Sequence, residues 1–363
     1  MKIIIAYASA GAGHRKAAEA LFNYYKMNSQ KDDIRIMDVL DFTNPLFKTI
    51  YVKGYLFLVN NALWLWSMIF NATASRFLRN FNKKLFLCLD LINARKFAKL
   101  LIDEQPDILI STHFMPPEIA AYLKNKQRIR SKIVTVVTDF GVHPFWIHEG
   151  TDIYAVASPF SRKQLVKEGV DNSIIIESGI PIEERFIRPI DKETIRAKLG
   201  LDKNKVTALI MTGSFGIGPI EEIVQTLHND LQIVVVCANN KELYEKLSKK
   251  DYPNVKVFGF VHNIDELMSA SDIAIVKPGG LTISELLSME LAPIFICPIP
   301  GQETNNIKAL EEYGLGTLCK NAQDIKKIVL GYIQNPQTLL NIKTTARSIK
   351  KPSASQDIFN ALR

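Results

Sequence analysis

The residue types able to do chemistry sit on glycine-rich turns. The first turn, Ala8-Ser9-Ala10-Gly11-Ala12-Gly13-His14, follows an apolar run at residues 2–7 and leads into a helical pattern. Glycines let a backbone turn tightly and approach a ligand, and the helix N-terminus behind them favours negative charge. His14 stands at the junction of turn and helix. Its reference pKa lies near operating pH, which suits a base that accepts a proton from a substrate hydroxyl. A capping or packing histidine is the plainer alternative. As a dinucleotide fingerprint the turn fails, because Lys16 holds the place of the third glycine, although Asp38 after the second strand favours such a site. No Gly-Lys-Ser/Thr follows, which excludes a P-loop.

A second group is Thr138-Asp139-Phe140-Gly141-Val142-His143-Pro144-Phe145-Trp146-Ile147-His148, again at the end of an apolar run. Asp139, His143 and His148 are ligand types for a metal, yet no regular ligand spacing is present and no metal is expected. Recognition of a polar acceptor, with Phe145 and Trp146 as apolar wall, fits the composition better, and a structural loop remains the alternative. The second half adds Thr212-Gly213-Ser214-Phe215-Gly216-Ile217-Gly218 and Lys277-Pro278-Gly279-Gly280-Leu281-Thr282. Amides at the start of the helix after Gly280, with Thr282, suit a phosphate, and Glu285 one turn on can accept both hydroxyls of a ribose. Gln302, Glu303, Asn305 and Asn306, after Pro300-Gly301, suit sugar hydroxyls.

These turns need elements to hold them. β-Branched runs at 2–7, 33–38, 107–111, 132–137 and 152–156, then at 205–211, 231–236, 255–258, 272–276 and 293–297, alternate with helical-period segments. That alternation predicts an α/β protein of βαβ units with parallel sheets. The chain's 363 residues predict two domains. The Pro-punctuated stretch from Gly179 to Pro189 places the boundary near residue 180, and the tail 344–363 is expected to pack back on the first domain. With 47% hydrophobic and 23% charged residues, disorder and fibres are excluded. Four scattered cysteines and an N-terminal apolar run too short for a signal segment point to a cytosolic protein.

The net charge of +8 is confined to the first half: residues 1–150 hold 20 basic and 12 acidic side chains, residues 151–363 hold 25 of each. An anionic partner for that half follows. Residues 42–89 contain no Asp or Glu, six basic residues and eleven aromatics. Asn60, Trp64, Ser67 and Asn71 fall on one face of a helical wheel whose remainder is mostly apolar. With Trp66 beside them and Arg76, Arg79, Lys83 and Lys84 beyond, the stretch reads as a helix lying in an anionic membrane interface; a helix pair buried in the domain core and a membrane span are the alternatives. No nucleic acid is expected, since the basic residues are interleaved with aliphatics in no recognised fold signature.

Gly259-Phe260-Val261-His262-Asn263, Ser271-Asp272, Lys277-Pro278-Gly279-Gly280-x-Thr282-x-x-Glu285 and Pro300-Gly301-Gln302-Glu303 resemble, in that order, the donor half of glycosyltransferase family 28. With Gly11-Ala12-Gly13-His14 and Thr138-Asp139-Phe140, the chain resembles the diacylglycerol glycosyltransferases: the monogalactosyldiacylglycerol synthases and the processive diacylglycerol β-glucosyltransferases. The resemblance implies a GT-B fold, two Rossmann-like domains facing a central cleft. Residues 1–180 would bind acceptor and membrane, and 181–343 the UDP-sugar. It implies inverting transfer of glucose or galactose to diacylglycerol, with no cofactor and no metal, on the inner face of the cell membrane. His14 or Asp139 would be catalytic; Gly13, His143, Trp146 and His148 would meet the acceptor. Phe260 and Val261 would flank uracil, Gly213, Ser214, Gly279, Gly280 and Thr282 would hold diphosphate, Glu285 ribose, and Gln302 and Glu303 the hexose. Transfer of N-acetylglucosamine to a polyprenyl-linked acceptor, and a non-catalytic UDP-sugar-binding membrane protein, are the competing readings. The first loop, Gly-Ala-Gly, departs from the triple glycine of the plant-type enzymes.

Overall fold

The structure, a computed structural model, describes residues 1–75, 79–213, 216 and 218–362, with the backbone alone over 79–83. Short apolar runs build two parallel six-stranded sheets. The first holds β1 (Lys2–Tyr7), β2 (Asp33–Asp38), β3 (Ile108–Ser111), β4 (Lys132–Val136), β5 (Ile153–Ala155) and β6 (Ile175–Ile176), in the order β2-β1-β3-β4-β5-β6. The second holds β7 (Thr207–Met211), β8 (Gln232–Val236), β9 (Val255–Phe258), β10 (Ile273–Val276), β11 (Ala292–Phe295) and β12 (Thr317–Leu318), in the order β12-β11-β10-β7-β8-β9. All ten expected strands are present; β6 and β12, two residues each, were not anticipated. Each order reverses once, between β1 and β3 and between β7 and β10, the places where open α/β sheets take their ligands.

The chain divides into two compact units: Met1–Glu183 with Ile299–Ala309 and Lys351–Arg363, and Glu184–Pro298 with Leu310–Lys350. In the first, helices alternate with the strands, beginning with α1 (Ala12–Asn28), α2 (Pro45–Asn61), α3 (Leu63–Ala74), α4 (Arg79–Asn93), α5 (Arg95–Glu104) and α6 (Met115–Asn125). The two-residue period of a strand sends Ile3, Ile5, Ile108 and Ile110 to one face, where they pack with Ala18, Leu21 and Tyr25 of α1 and with Ile358 and Phe359. Ile4, Ala6 and Leu109 go to the other face, against Phe97 and Leu101 of α5 and Met115 and Ile119 of α6.

The acid-free stretch differs from expectation in one respect. It is not one helix. Asn44 accepts the Leu46 N–H and Pro45 sits in the first turn, which starts α2. At Ala62 (φ −140°, ψ 51°) the backbone leaves the helical region, and α3 begins anew. The wheel that joined Asn60 to Trp64, Ser67 and Asn71 therefore crosses a break. No helix among the described residues is long and apolar enough to cross a membrane.

The second unit is fastened by one carboxylate. Asp272 accepts hydrogen bonds from Lys192 Nζ at 2.6 Å, Arg196 Nη2 at 2.6 Å, Lys343 Nζ at 2.8 Å and the Thr207 N–H at 3.0 Å. Burial opposes its charge, but Lys192 and Lys343 outweigh that and hold the carboxyl well below the usual range. A carboxyl so lowered stabilises the fold fully above its unfolded pKa, and the gain is lost as pH falls toward the folded value. Arg196 is itself buried, so Asp272→Ala strands an uncompensated cation. We expect a loss of about 3–5 kcal/mol in urea unfolding, against a much smaller loss for Arg347→Ala on the solvent-facing Glu290 pair.

Candidate functional site

Ala6 and Ser111 are register partners across the reversal of the first sheet, so the loops leaving β1 and β3 start side by side. The Thr112 N–H donates to the Ala6 carbonyl at 3.1 Å, which extends the pairing one residue beyond the strands. His14, in the first turn of α1, then faces Thr112. Its Nδ1 lies 2.7 Å from the Thr112 carbonyl oxygen and 2.8 Å from Thr138 Oγ1, and Thr112 Oγ1 donates back to the His14 carbonyl at 2.8 Å. A carbonyl oxygen can only accept, so Nδ1 carries the hydrogen and Nε2 keeps its lone pair. Burial lowers the imidazole to about 4, with the Thr112 carbonyl opposing. His14 is therefore neutral at working pH and able to take a proton. It is no cap: Gly11 holds that place, without a side-chain bond.

Asp139 follows β4 and is 7% exposed. Asn306 Nδ2 donates to its Oδ1 at 3.0 Å and Gln302 Nε2 to its Oδ2 at 3.0 Å. The Asn306 amide is itself fixed, since its Oδ1 accepts the Phe140 N–H at 2.7 Å and the Gly141 N–H at 3.2 Å. Gly141 permits this approach: a Cβ there would strike the Cβ of Asn305. Burial raises the Asp139 carboxyl to about 7, against the two amide donors. It is thus poised between its charged and neutral forms at neutral pH.

His14 and Asp139 open on one cavity of about 280 Å³. Most of its wall is apolar or aromatic: Tyr51, Tyr55 and Leu58 from α2, Trp66, Ile69 and Phe70 from α3, Phe86 from α4, then Phe114, Phe145 and Trp146. The C-terminal turn of α3 is docked on this wall. The Phe70 ring stands 4.4 Å from the His143 ring and fills the space where Gly301, at φ +82°, lacks a side chain. His143 Nδ1 accepts the Phe145 N–H at 3.2 Å, leaving Nε2 to donate to the Phe70 carbonyl at 3.2 Å. On the outside of the same helices Leu46, Ile50, Phe57, Trp64, Met68, Leu85, Leu89 and Ile92 are exposed, Trp64 by 68%.

The structure brings His14, Asp139, His143, Trp146 and Gln302 together around the cavity. His148 and Gly13 are not among its lining residues; His148 Nε2 instead donates to the Phe114 carbonyl at 3.1 Å. Glu303 is buried and accepts the Ile299 N–H at 2.7 Å. Trp66 turns inward whereas Trp64 is exposed. In the second unit Gly213 lies two residues beyond β7 and Gly279 caps the helix Gly280–Ser288 without a side-chain bond, so both glycine turns lie at the reversal of that sheet. Thr282 and half-buried Glu285 ride on that helix, and Phe260 is exposed beside Val261. Ser214 and Arg76 lie outside the described residues, as do the side chains of Arg79 and Lys83; Lys84 is exposed. Sequence reasoning assigned no role to His113, Asp90, Glu118 or Tyr51, all of which line the cavity. Only His113, another residue at a strand end, carried a signal.

Residues 14–182 match the family model of monogalactosyldiacylglycerol (MGDG) synthase, and residues 207–358 that of the glycosyltransferase family 28 C-terminal domain. A processive diacylglycerol beta-glucosyltransferase of Bacillus cereus (strain AH187) is 32% identical over 374 residues, spanning 99% of this chain and 93% of the relative. Among solved structures, MurG of Acinetobacter baumannii superposes with a TM-score of 0.61 at 14% identity, covering 99% of this chain and 98% of that one. The S. aureus MnaA-UDP structure gives 0.63 at 14%, covering 99% and 95%. These likenesses show the fold, α/β of the GT-B type. The geometry at Asp139 yields its own test. In a pH titration followed by carboxyl infrared difference spectra, Asp139 should change charge near pH 7, and Asn306→Ala, which removes a donor to the charged form, should move the midpoint upward. A midpoint below 5 in the unaltered protein contradicts the desolvation described here.

Proposed function

The chain belongs to glycosyltransferase family 28, with the monogalactosyldiacylglycerol synthases and the processive diacylglycerol glucosyltransferases, and on that premise we propose that it is an inverting transferase moving a hexose from a UDP-sugar to diacylglycerol. The observation that carries this reading is the cavity: an aromatic chamber ending on a histidine with a free Nε2 lone pair and on a poised carboxyl. Inverting transfer needs a base for the acceptor hydroxyl. The hydroxyl oxygen attacks the anomeric carbon, the bond to the diphosphate breaks, and the proton passes to the base as UDP leaves. His14 Nε2 is that base. Asp139 is its rival, and its amide-held oxygens suit a role in orienting the acceptor.

In the second unit the uncapped amides at Gly280, with Gly213, Gly279 and Thr282, are assigned the diphosphate, where they stabilise the negative charge that grows on the leaving group without a metal. Phe260 and Val261 are assigned the uracil and Glu285 the ribose; Gln302 and Glu303 are assigned the hexose. The MnaA structure, a complex with UDP, is a relative in fold only, and it supports a nucleotide at such a sheet reversal no further than that.

The exposed apolar face of α2, α3 and α4 supports docking at a membrane surface. Diacylglycerol stays in the bilayer because each buried CH₂ is worth about 0.8 kcal/mol, so the enzyme must come to it. Lys84 and the other basic residues of this stretch add about 1 kcal/mol each near an anionic leaflet. This reading places the enzyme on the inner face of the cell membrane.

The first test is product analysis. Purified protein with diacylglycerol in anionic micelles should form a glycolipid from UDP-glucose or UDP-galactose. Product only from UDP-N-acetylglucosamine and a polyprenyl-linked acceptor overturns the reading. His14→Ala should lower transfer by about 10²–10⁴-fold and leave UDP affinity by calorimetry as it was; a loss of UDP binding assigns His14 to the donor instead. In vesicle co-sedimentation, binding should require anionic lipid and weaken as salt rises. Equal binding to neutral vesicles removes the electrostatic part.

A further inference from the structure

The second sheet has a strand-end turn to which the transfer step gives no role. β8 lies between β7 and β9, and Met211, Val236 and Phe258 are register partners across the three strands. The turn leaving β7 is assigned to the diphosphate, and the loop leaving β9 carries Phe260 and Val261, assigned to the uracil. The turn leaving β8, Cys237–Asn240, therefore emerges between the two halves of the nucleotide site. The Cys237 N–H donates to the Phe258 carbonyl at 2.8 Å, which ties this turn to the uracil side from its first residue.

That turn is tight and strained. The Asn240 N–H donates to the Cys237 carbonyl at 3.0 Å, and Ala238 is held at φ +51°, in the left-handed region that an alanine disfavours. Strain of this kind persists only where the surrounding structure over-determines it, and it gathers at functional sites. Part of the surroundings here is the diphosphate turn itself. Gly216, at φ +57°, lies so close that a Cβ on it would strike the Cys237 carbonyl oxygen and crowd the Cβ of Asn240.

Asn240 joins the two sides through the two ends of one amide. Its Nδ2 donates to the Gly216 carbonyl at 3.0 Å. Its Oδ1 accepts the Leu243 N–H at 3.0 Å, which starts the helix Lys241–Ser248. A carbonyl at one end and an N–H at the other leave a single orientation for the amide. On the helix so started, the Tyr244 ring packs beside Gly259, where a Cβ would lie 3.9 Å from it. The side chain thus holds the diphosphate turn directly and reaches the uracil loop through one turn of helix. A glycine-rich turn loses much conformational freedom when it closes on a ligand, and holding it beforehand removes part of that loss from binding. We infer that Asn240 is a positioning residue that fixes the diphosphate turn at a set spacing from the uracil loop, so that a nucleoside diphosphate meets a turn already ordered for it. The inference rests on the donor assignments above and adds the residue that holds the two halves of that site in register.

The test separates the two halves of the nucleotide. UDP is titrated by calorimetry, and uridine by competition against UDP, on the full chain and on two variants. Asn240→Ser keeps a favoured cap for the Leu243 N–H but is too short to reach the Gly216 carbonyl. It should weaken UDP by about tenfold, the size of one lost hydrogen bond, and leave uridine within about twofold. Gly216→Ala leaves Asn240 in place and forces the diphosphate turn off the Cys237 carbonyl, so it should also weaken UDP and spare uridine. Losses as large for uridine as for UDP in Asn240→Ser overturn the inference and make Asn240 a helix cap alone. Unchanged UDP affinity in either variant overturns it as well, because the turn then needs no such hold. An unaltered protein that binds no UDP removes the donor reading beneath it.

Discussion

A parallel sheet whose strand order reverses once has a single seam where neighbouring strand-end loops turn away from each other. Right-handed crossovers allow no other arrangement once helices must cover both faces. Both sheets of this chain carry their chemistry on that seam. In the first, the pairing of β1 with β3 puts Thr112 one residue past the last register partner, where its carbonyl fixes the hydrogen of His14 on Nδ1. In the second, the seam between β7 and β10 sets Gly213 and the Gly279–Gly280 turn on adjacent strands. Everything assigned to base, phosphate and ribose hangs on these two reversals, and they follow from the order in which apolar runs meet along the chain.

What was legible in the sequence follows the same logic. Ten strands were visible because a parallel strand is buried on both faces and reads as an unbroken apolar run. β6 and β12 were invisible because two residues make no run. The break at Ala62 escaped notice because neither Gly nor Pro marks it; the backbone turns at an alanine. At the site, residues that belong to a turn could be found, as with His14 and Asp139. Residues that matter only through a distant partner could not. Asp90 and Glu118 sit on separate helices, and only the packing of α4 on α6 brings them to one cavity. Gln302 was expected to face a hexose, and its amide also steadies Asp139, a contact that joins positions 163 residues apart. Nothing local to either residue announces such a bond.

The acid-free stretch shows how one composition serves two surfaces. Trp64 and Trp66 are two positions apart and therefore on different sides of α3: one faces outward, the other lines the cavity. Helices with apolar residues all round are usually buried on every side. Here the inner side lines the chamber and the outer side is left open. The first acid after the stretch, Asp90, is the one that turns into the chamber.

The make-up of the first unit has a consequence for how the protein is born. Its helix α1 packs by Tyr24 and Tyr25 against Phe359, and its Asp139 is aligned by Asn306. Domains generally fold as units while the ribosome is still translating, the N-terminal one first. This one cannot finish in that order. A nascent chain that has reached residue 298 holds every strand of the first sheet yet lacks both the Asn306 amide that holds the Asp139 carboxyl and the Phe359 ring that packs on α1. The exposed apolar helices are made early, and Asp139 and α1 gain these partners only after residues 299–309 and 351–363 have been made.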